Sequence, residues 1–180
     1  LSDIDPTATT IPSQQILVQG MLNKNTLIEI LHTFTIFKDN TKIVPRYHQY
    51  RAVKKIIERI KNGKTPEEKG GIVWHTQGSG KSLTMMYVVR AMFHDEELRK
   101  YKIVFITDRK DLERQLEGVS KGVGFTVHVA KSVEHLKELL RTNTPDLVMG
   151  LVHKFQEREL KAPFPVLNES PNILVMIDEA

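Results

Sequence analysis

The chain has 180 residues, 40% hydrophobic and 27% charged, and its 26 basic against 22 acidic side chains leave a net charge of +4. Cysteine is absent, which excludes a disulfide framework, a thiolate metal site and a cysteine nucleophile, and is compatible with the cytosol. No apolar stretch approaches the roughly 20 residues of a membrane span, no basic leader marks a secretory signal, and the mild basic surplus permits a nucleic-acid partner without requiring one.

Residues 1 to 13, rich in Thr, Ser, Asp and Pro, read as a linker or entry segment. Asn25 or Thr26 is placed to cap a helix whose Leu27, Ile30, Leu31 and Phe34 recur at i, i+3, i+4, i+7. Lys38 to Lys42 is a polar turn. After Pro45 a second helix puts Tyr50, Val53, Ile57 and Ile60 on one face and stops at Asn62-Gly63. Lys64 to Gly70 is charged, contains Pro66, and reads as a surface loop.

From Gly71 the texture changes. Ile72-Val73-Trp74 is a short strand pattern, Gln77 to Gly80 a glycine-rich turn, and a helix runs from Lys81 to about Phe93. Strand patterns follow at 103–106, 125–129, 147–149 and 173–177, separated by helical segments at 111–116 and after Ser132, the latter carrying Leu136, Leu139 and Leu140. Alternating elements with strands apolar on both faces predict an α/β fold, a mostly parallel sheet covered by helices on both sides, beginning near residue 46 after a helical lead-in. Trp74 and the Met85-Met86 pair are expected in its core, and His128 and His135 lack ligand spacing.

The run Ile72 to Ser82 has the strand, loop and helix order of a phosphate loop. Gly78 and Gly80 let the backbone wrap phosphate oxygens with its N–H groups inward, where a Cβ would obstruct, and Thr76 and Ser79 complete the loop. The helix from Lys81 offers unpaired amides and a partial positive charge to an anion. Lys81 is then placed to bridge the β- and γ-phosphates of ATP, and the Ser82 hydroxyl to ligate Mg²⁺. One position departs from the strict pattern: where it has glycine, this chain has His75. At the far end the strand pattern 173–177 runs into Asp178-Glu179. This suits Asp178 to the metal shell and Glu179 to general-base activation of water.

Together these segments resemble the first motor domain of superfamily 2 helicase-like translocases, most closely the motor (R) subunit of type I restriction enzymes. The residues that carry the resemblance are Arg46 to Val53, Val73 to Met85 including His75-Thr76-Gln77-Gly78-Ser79-Gly80-Lys81-Ser82, Ile106 to Leu112, and Ile177 to Ala180. The resemblance implies a RecA-like three-layer domain over 45–180 with residues 1–44 as lead-in. It implies that Gln49 reads the adenine edge, as an amide that both donates and accepts can, with Tyr47 stacking on or near the base. It assigns Arg109 and Lys110 to nucleic-acid phosphates, and Lys154 to a second backbone-contacting motif that here has Met149-Gly150 in place of the usual threonine pair.

The resemblance further implies a strand, beyond the acidic motif, between the phosphate-loop strand and the acidic strand. The sequence stops before it, so the domain is expected to be truncated, with more chain in the intact protein. The implied whole is an ATP-driven motor on double-stranded DNA, cytoplasmic, coupled to cleavage, and assembled with modification and specificity subunits. Another superfamily 2 DNA or RNA helicase, a non-catalytic phosphate-loop binding module and a small-molecule kinase are the competing expectations; the kinase has no use for Gln49 or for the Asp178-Glu179 pair.

Overall fold

A computed structural model describes residues 13–38, 40–107, 126–151 and 166–178. The lead-in holds two short helices, α1 (Ser13–Met21) and α2 (Lys24–Glu29), and then a π-helical turn, Ile30–Phe34. Asn23, two residues ahead of the expected cap, starts α2 by accepting the Asn25 N–H on its side chain at 3.1 Å. The π turn changes which residues face inward. Ile30 and Phe34 are buried, but Leu31, expected on the same face, is 52% exposed, because widening the helix rotates the residues away from the 3.6-residue stripe. The Thr35 hydroxyl donates to the Ile30 carbonyl at 2.9 Å and closes the turn. A hairpin of β1 (Ile36–Lys38) and β2 (Thr41–Ile43) follows, and the expected polar turn is its tip, with Asn40 in the left-handed region at φ 61°.

Helix α3 (Tyr47–Asn62) buries Tyr50, Val53 and Ile60, as its periodicity predicts. The expected loop after it contains one short turn of helix, α4 (Pro66–Lys69), started by the Thr65 hydroxyl and by proline in its first turn. Helix α5 (Lys81–His94) packs along α3 and buries Thr84, Met86, Tyr87, Val88, Val89 and Met92. A helix apolar around this much of its circumference must be covered on more than one side. Phe34 stands between the elements, its ring 5.1 Å from Tyr50 and 5.7 Å from Tyr87, so the lead-in shares one core with the rest.

The sheet comprises β3 (Lys102–Thr107), β4 (Val127–Val129), β5 (Leu147–Leu151) and β6 (Ile173–Ile177), in the order β4-β5-β3-β6 and all parallel. Helix α6 (Val133–Arg141) connects β4 to β5. Alternate residues of the strands serve two cores. Ile103, Phe105, Leu147 and Met149 join the helices α3 and α5, with Leu174 and Met176 packed alongside. Val148 on the opposite face meets Leu136 of α6 and Ala130. The expected α/β fold with helices on both faces is present, and no helix among the described residues is long and apolar enough to cross a membrane.

The expected phosphate-loop strand is not. Residues 70–76 carry no strand pairing, Ile72 is 96% exposed, and Trp74, expected in the core, is 89% exposed. Strand β6 pairs with β3 on one side, and its Val175 and Ile177 are about half exposed on the face away from α5. A strand exists only through the hydrogen bonds of a neighbour. Apolarity predicted the strand, but no described segment pairs with Ile72–Trp74, so its side chains stay in water. The expected helical segment at 111–116 and the strand residue Phe125 lie outside the described residues.

Candidate nucleotide-binding site

The turn between Thr76 and α5 is shaped by two glycines in the left-handed region, Gly78 at φ 75° and Gly80 at φ 83°. A Cβ on Gly78 would meet nothing within 4 Å, so the backbone there lines open space. A Cβ on Gly80 would lie 2.6 Å from the Gln49 Nε2, and that proximity gives the loop its support. The Gln49 amide donates to the Ser79 carbonyl at 3.2 Å and to the Gly80 carbonyl at 3.1 Å, while its oxygen accepts the Arg46 N–H at 2.8 Å. His48 adds a bond from Nε2 to the same Ser79 carbonyl at 3.2 Å. The first turn of α3 therefore holds two loop carbonyls. Within the loop the Ser79 N–H donates to the Thr76 carbonyl at 3.2 Å.

Helix α5 begins at once. Its first i to i−4 bond runs from the Thr84 N–H to the Gly80 carbonyl at 3.1 Å, so the amides of Lys81, Ser82 and Leu83 precede the helical ladder. Lys81 forms no ion pair with a described residue. The Ser79 hydroxyl is buried and without a described partner, as is Nδ1 of His75. His75 stacks edge-to-face on His48, with ring centroids 5.1 Å apart and planes at 88°. Burial first, then the His48 ring and the Lys81 ammonium, hold His75 below the usual histidine range.

The structure brings Gln49, Ser79, Gly80 and Lys81 into one neighbourhood. Tyr47 lies at the start of α3 and is 43% exposed. Asp178 is buried at the end of β6, where its N–H donates to the Ile106 carbonyl at 3.0 Å and extends the β3–β6 ladder by one residue. Thr107, Leu151 and Asp178 mark the carboxyl ends of three parallel strands, the edge at which open α/β sheets bind ligands. Arg109, Lys110, Lys154 and Glu179, which follow those ends in sequence, lie outside the described residues. His48 was missed by sequence reading. Its signal was adjacency to Gln49 on the first turn of a helix aimed at the loop, which no local pattern reveals.

The family model of the SWI2/SNF2 ATPases matches residues 48–180. The "Putative type I restriction enzyme MjaIXP endonuclease subunit" of Methanocaldococcus jannaschii is 37% identical over 173 residues, 93% of this chain and 16% of the relative. The type I restriction enzyme HindI endonuclease subunit of Haemophilus influenzae is 32% identical, covering 92% and 17%. The C-terminal part of the putative type I restriction enzyme MpnIIP endonuclease subunit of Mycoplasma pneumoniae is 35% identical over 145 residues, 75% of this chain and 69% of the relative. The chain thus spans about one sixth of the length of the first two relatives.

Proposed function

Because this chain belongs to the SWI2/SNF2 ATPase family and groups with the endonuclease subunits of type I restriction enzymes, we propose that its 76–82 loop binds ATP with Mg²⁺ in a DNA motor. The observation that carries the reading is the tethering of the Ser79 and Gly80 carbonyls to α3. A loop that binds phosphate must turn its carbonyls away and its amides inward, and His48 and Gln49 fix the first half of that requirement. The residues present also fit the ligand: open space at Gly78, a buried hydroxyl without a described partner at Ser79, and a lysine unpaired with described groups at the head of α5.

In this reading Lys81 neutralises the β- and γ-phosphates, Ser82 and Asp178 hold the metal's shell, and Glu179 takes the proton of the attacking water. The Mg²⁺ supplies charge neutralisation at the phosphoryl oxygens. Gln49 faces the adenine edge in this reading while its amide supports the loop through Arg46, Ser79 and Gly80. Tyr47, exposed beside it, is available to stack. Arg109, Lys110 and Lys154 contact DNA phosphates. In the intact, cytoplasmic protein the motor translocates double-stranded DNA before cleavage, in complex with modification and specificity subunits.

Titration of Mg-ATP against the chain and its Lys81→Ala variant tests the site. Binding that needs Lys81 supports it, and binding indifferent to Lys81 favours a phosphate-loop scaffold without nucleotide chemistry. Turnover by the chain alone should be slow. The resemblance assigns the arginine that completes phosphoryl transfer to a second motor domain, and such a group contributes roughly 10³–10⁵ in kcat.

A further inference from the structure

We propose that His48, backed by His75, is a positioning residue for the phosphate loop: it fixes the Ser79 carbonyl outward, so that removing either ring weakens the grip on nucleotide phosphate. The inference rests on the nucleotide reading of the loop. Its own warrant is geometric. The acceptor at 3.2 Å is a carbonyl oxygen, which has only lone pairs to offer, so His48 Nε2 carries the hydrogen. Gln49 Nε2 donates to the same oxygen, and the two bonds saturate it. Gln49 divides its amide between two carbonyls, whereas His48 serves Ser79 alone among the described loop residues.

His75 supplies the backing. It occupies the position where the strict motif has glycine, and its ring meets His48 edge-to-face, an arrangement aromatic rings favour. Its Nδ1 is buried without a described partner, and burial with the Lys81 ammonium nearby disfavours a charged ring. A neutral ring can pack against His48 with Lys81 nearby, whereas a charged one would be repelled by Lys81. The departure from glycine thus has a role: a side chain at 75 wedges His48 against the loop, and α3, not the loop's own sequence, sets the carbonyl's direction.

The test is the affinity for Mg-ADP of the 180-residue chain and of its variants, by calorimetry. His48→Ala should weaken binding roughly three- to tenfold, the worth of one hydrogen bond, and His48→Gln, which restores an N–H donor, should stay within about twofold of wild type. His75→Ala should weaken binding in the same direction, and the His48→Ala/His75→Ala double variant should be no weaker than the weaker single, because both remove one support. Lys81→Ala is the control for the underlying reading. If wild type binds no Mg-ADP, or Lys81→Ala binds as wild type does, that reading fails and this inference with it. If Lys81→Ala loses binding while His48→Ala keeps it, or His48→Gln is as weak as His48→Ala, only the inference fails. Should His48→Ala not fold, long-range proton–nitrogen spectra of the wild-type ring decide: an Nε2–H tautomer supports the bond to Ser79, and an Nδ1–H tautomer overturns it.

Discussion

Removing the Lys102 ammonium should destabilise the chain more than any change at its surface. Lys102 opens β3 with its side chain 1% exposed, and its three N–H donors are all used: 2.7 Å to Asp146 Oδ1, 2.9 Å to the Leu139 carbonyl and 3.1 Å to the Thr142 hydroxyl. The Leu139 carbonyl belongs to the last turn of α6, so one cation ties a helix C-terminus, a loop and the strand entry together. The Asp146 side chain is 6% exposed, and its other oxygen lies 3.5 Å from Nε2 of the part-exposed His128. Lys102→Met keeps the aliphatic stem and deletes the charge, leaving the carboxylate buried with, among the described residues, that imidazole beside it. Breaking such a pair costs about 3–5 kcal/mol, whereas replacing both charges is often near neutral. In urea unfolding, Lys102→Met should therefore lose that much, and Lys102→Met/Asp146→Asn should recover most of it at an unchanged m-value. A loss under about 1 kcal/mol in the single variant, or a double variant no more stable than the single, would refute the assignment of the energy to an uncompensated carboxylate.

Three other outcomes follow from the same geometry. Trp74 is the sole tryptophan, so its fluorescence should be solvent-exposed and readily quenched by iodide; Trp74→Ser should change stability by no more than about 0.5 kcal/mol, against the roughly 3–5 kcal/mol typical of a core tryptophan. Gly80→Ala should cost at least about 1 kcal/mol, seen in thermal unfolding, because the left-handed backbone disfavours a Cβ that would also strike the Gln49 amide. Asp95 feels burial, which raises its pKa, but the Lys61 ion pair at 2.6 Å and the N–H groups of Glu97 and Leu98 outweigh it and hold the carboxyl below its usual value. Its contribution is therefore present above the unfolded carboxylate pKa and is lost as pH falls through the folded value. Asp95→Asn keeps an acceptor for the two amides, and its stability should decline less than wild type on acidification from about pH 5, followed by thermal unfolding at each pH.

Much of this protein was legible in one dimension. The 3.6-residue stripe of α3, the apolar runs of β3, β5 and β6 and the glycines before Lys81 are local patterns, and the structure contains the elements these predicted; the strand expected at 72–74 is absent, and the helix expected at 111–116 lies outside the described residues. Local periodicity reports which residues avoid water, and for amphipathic helices and central strands that is nearly the whole question. Gln49 and Lys81 were also put at one site, through the resemblance rather than through spacing.

Tertiary structure decided the rest, because the deciding contacts join residues about 30 to 45 positions apart in sequence. Gln49 and His48 meet the loop across α3 and α5, and nothing within the heptapeptide of either reveals it. No local pattern marks Lys102 for burial; the Leu139 carbonyl in α6 and Asp146 beyond it bury and pair its ammonium. A single π turn sent Leu31 outward against its own periodicity. The run Ile72-Val73-Trp74 shows the limit most plainly: its apolar character is written in the residues themselves, but only pairing makes a strand, and its backbone finds no partner among the described residues.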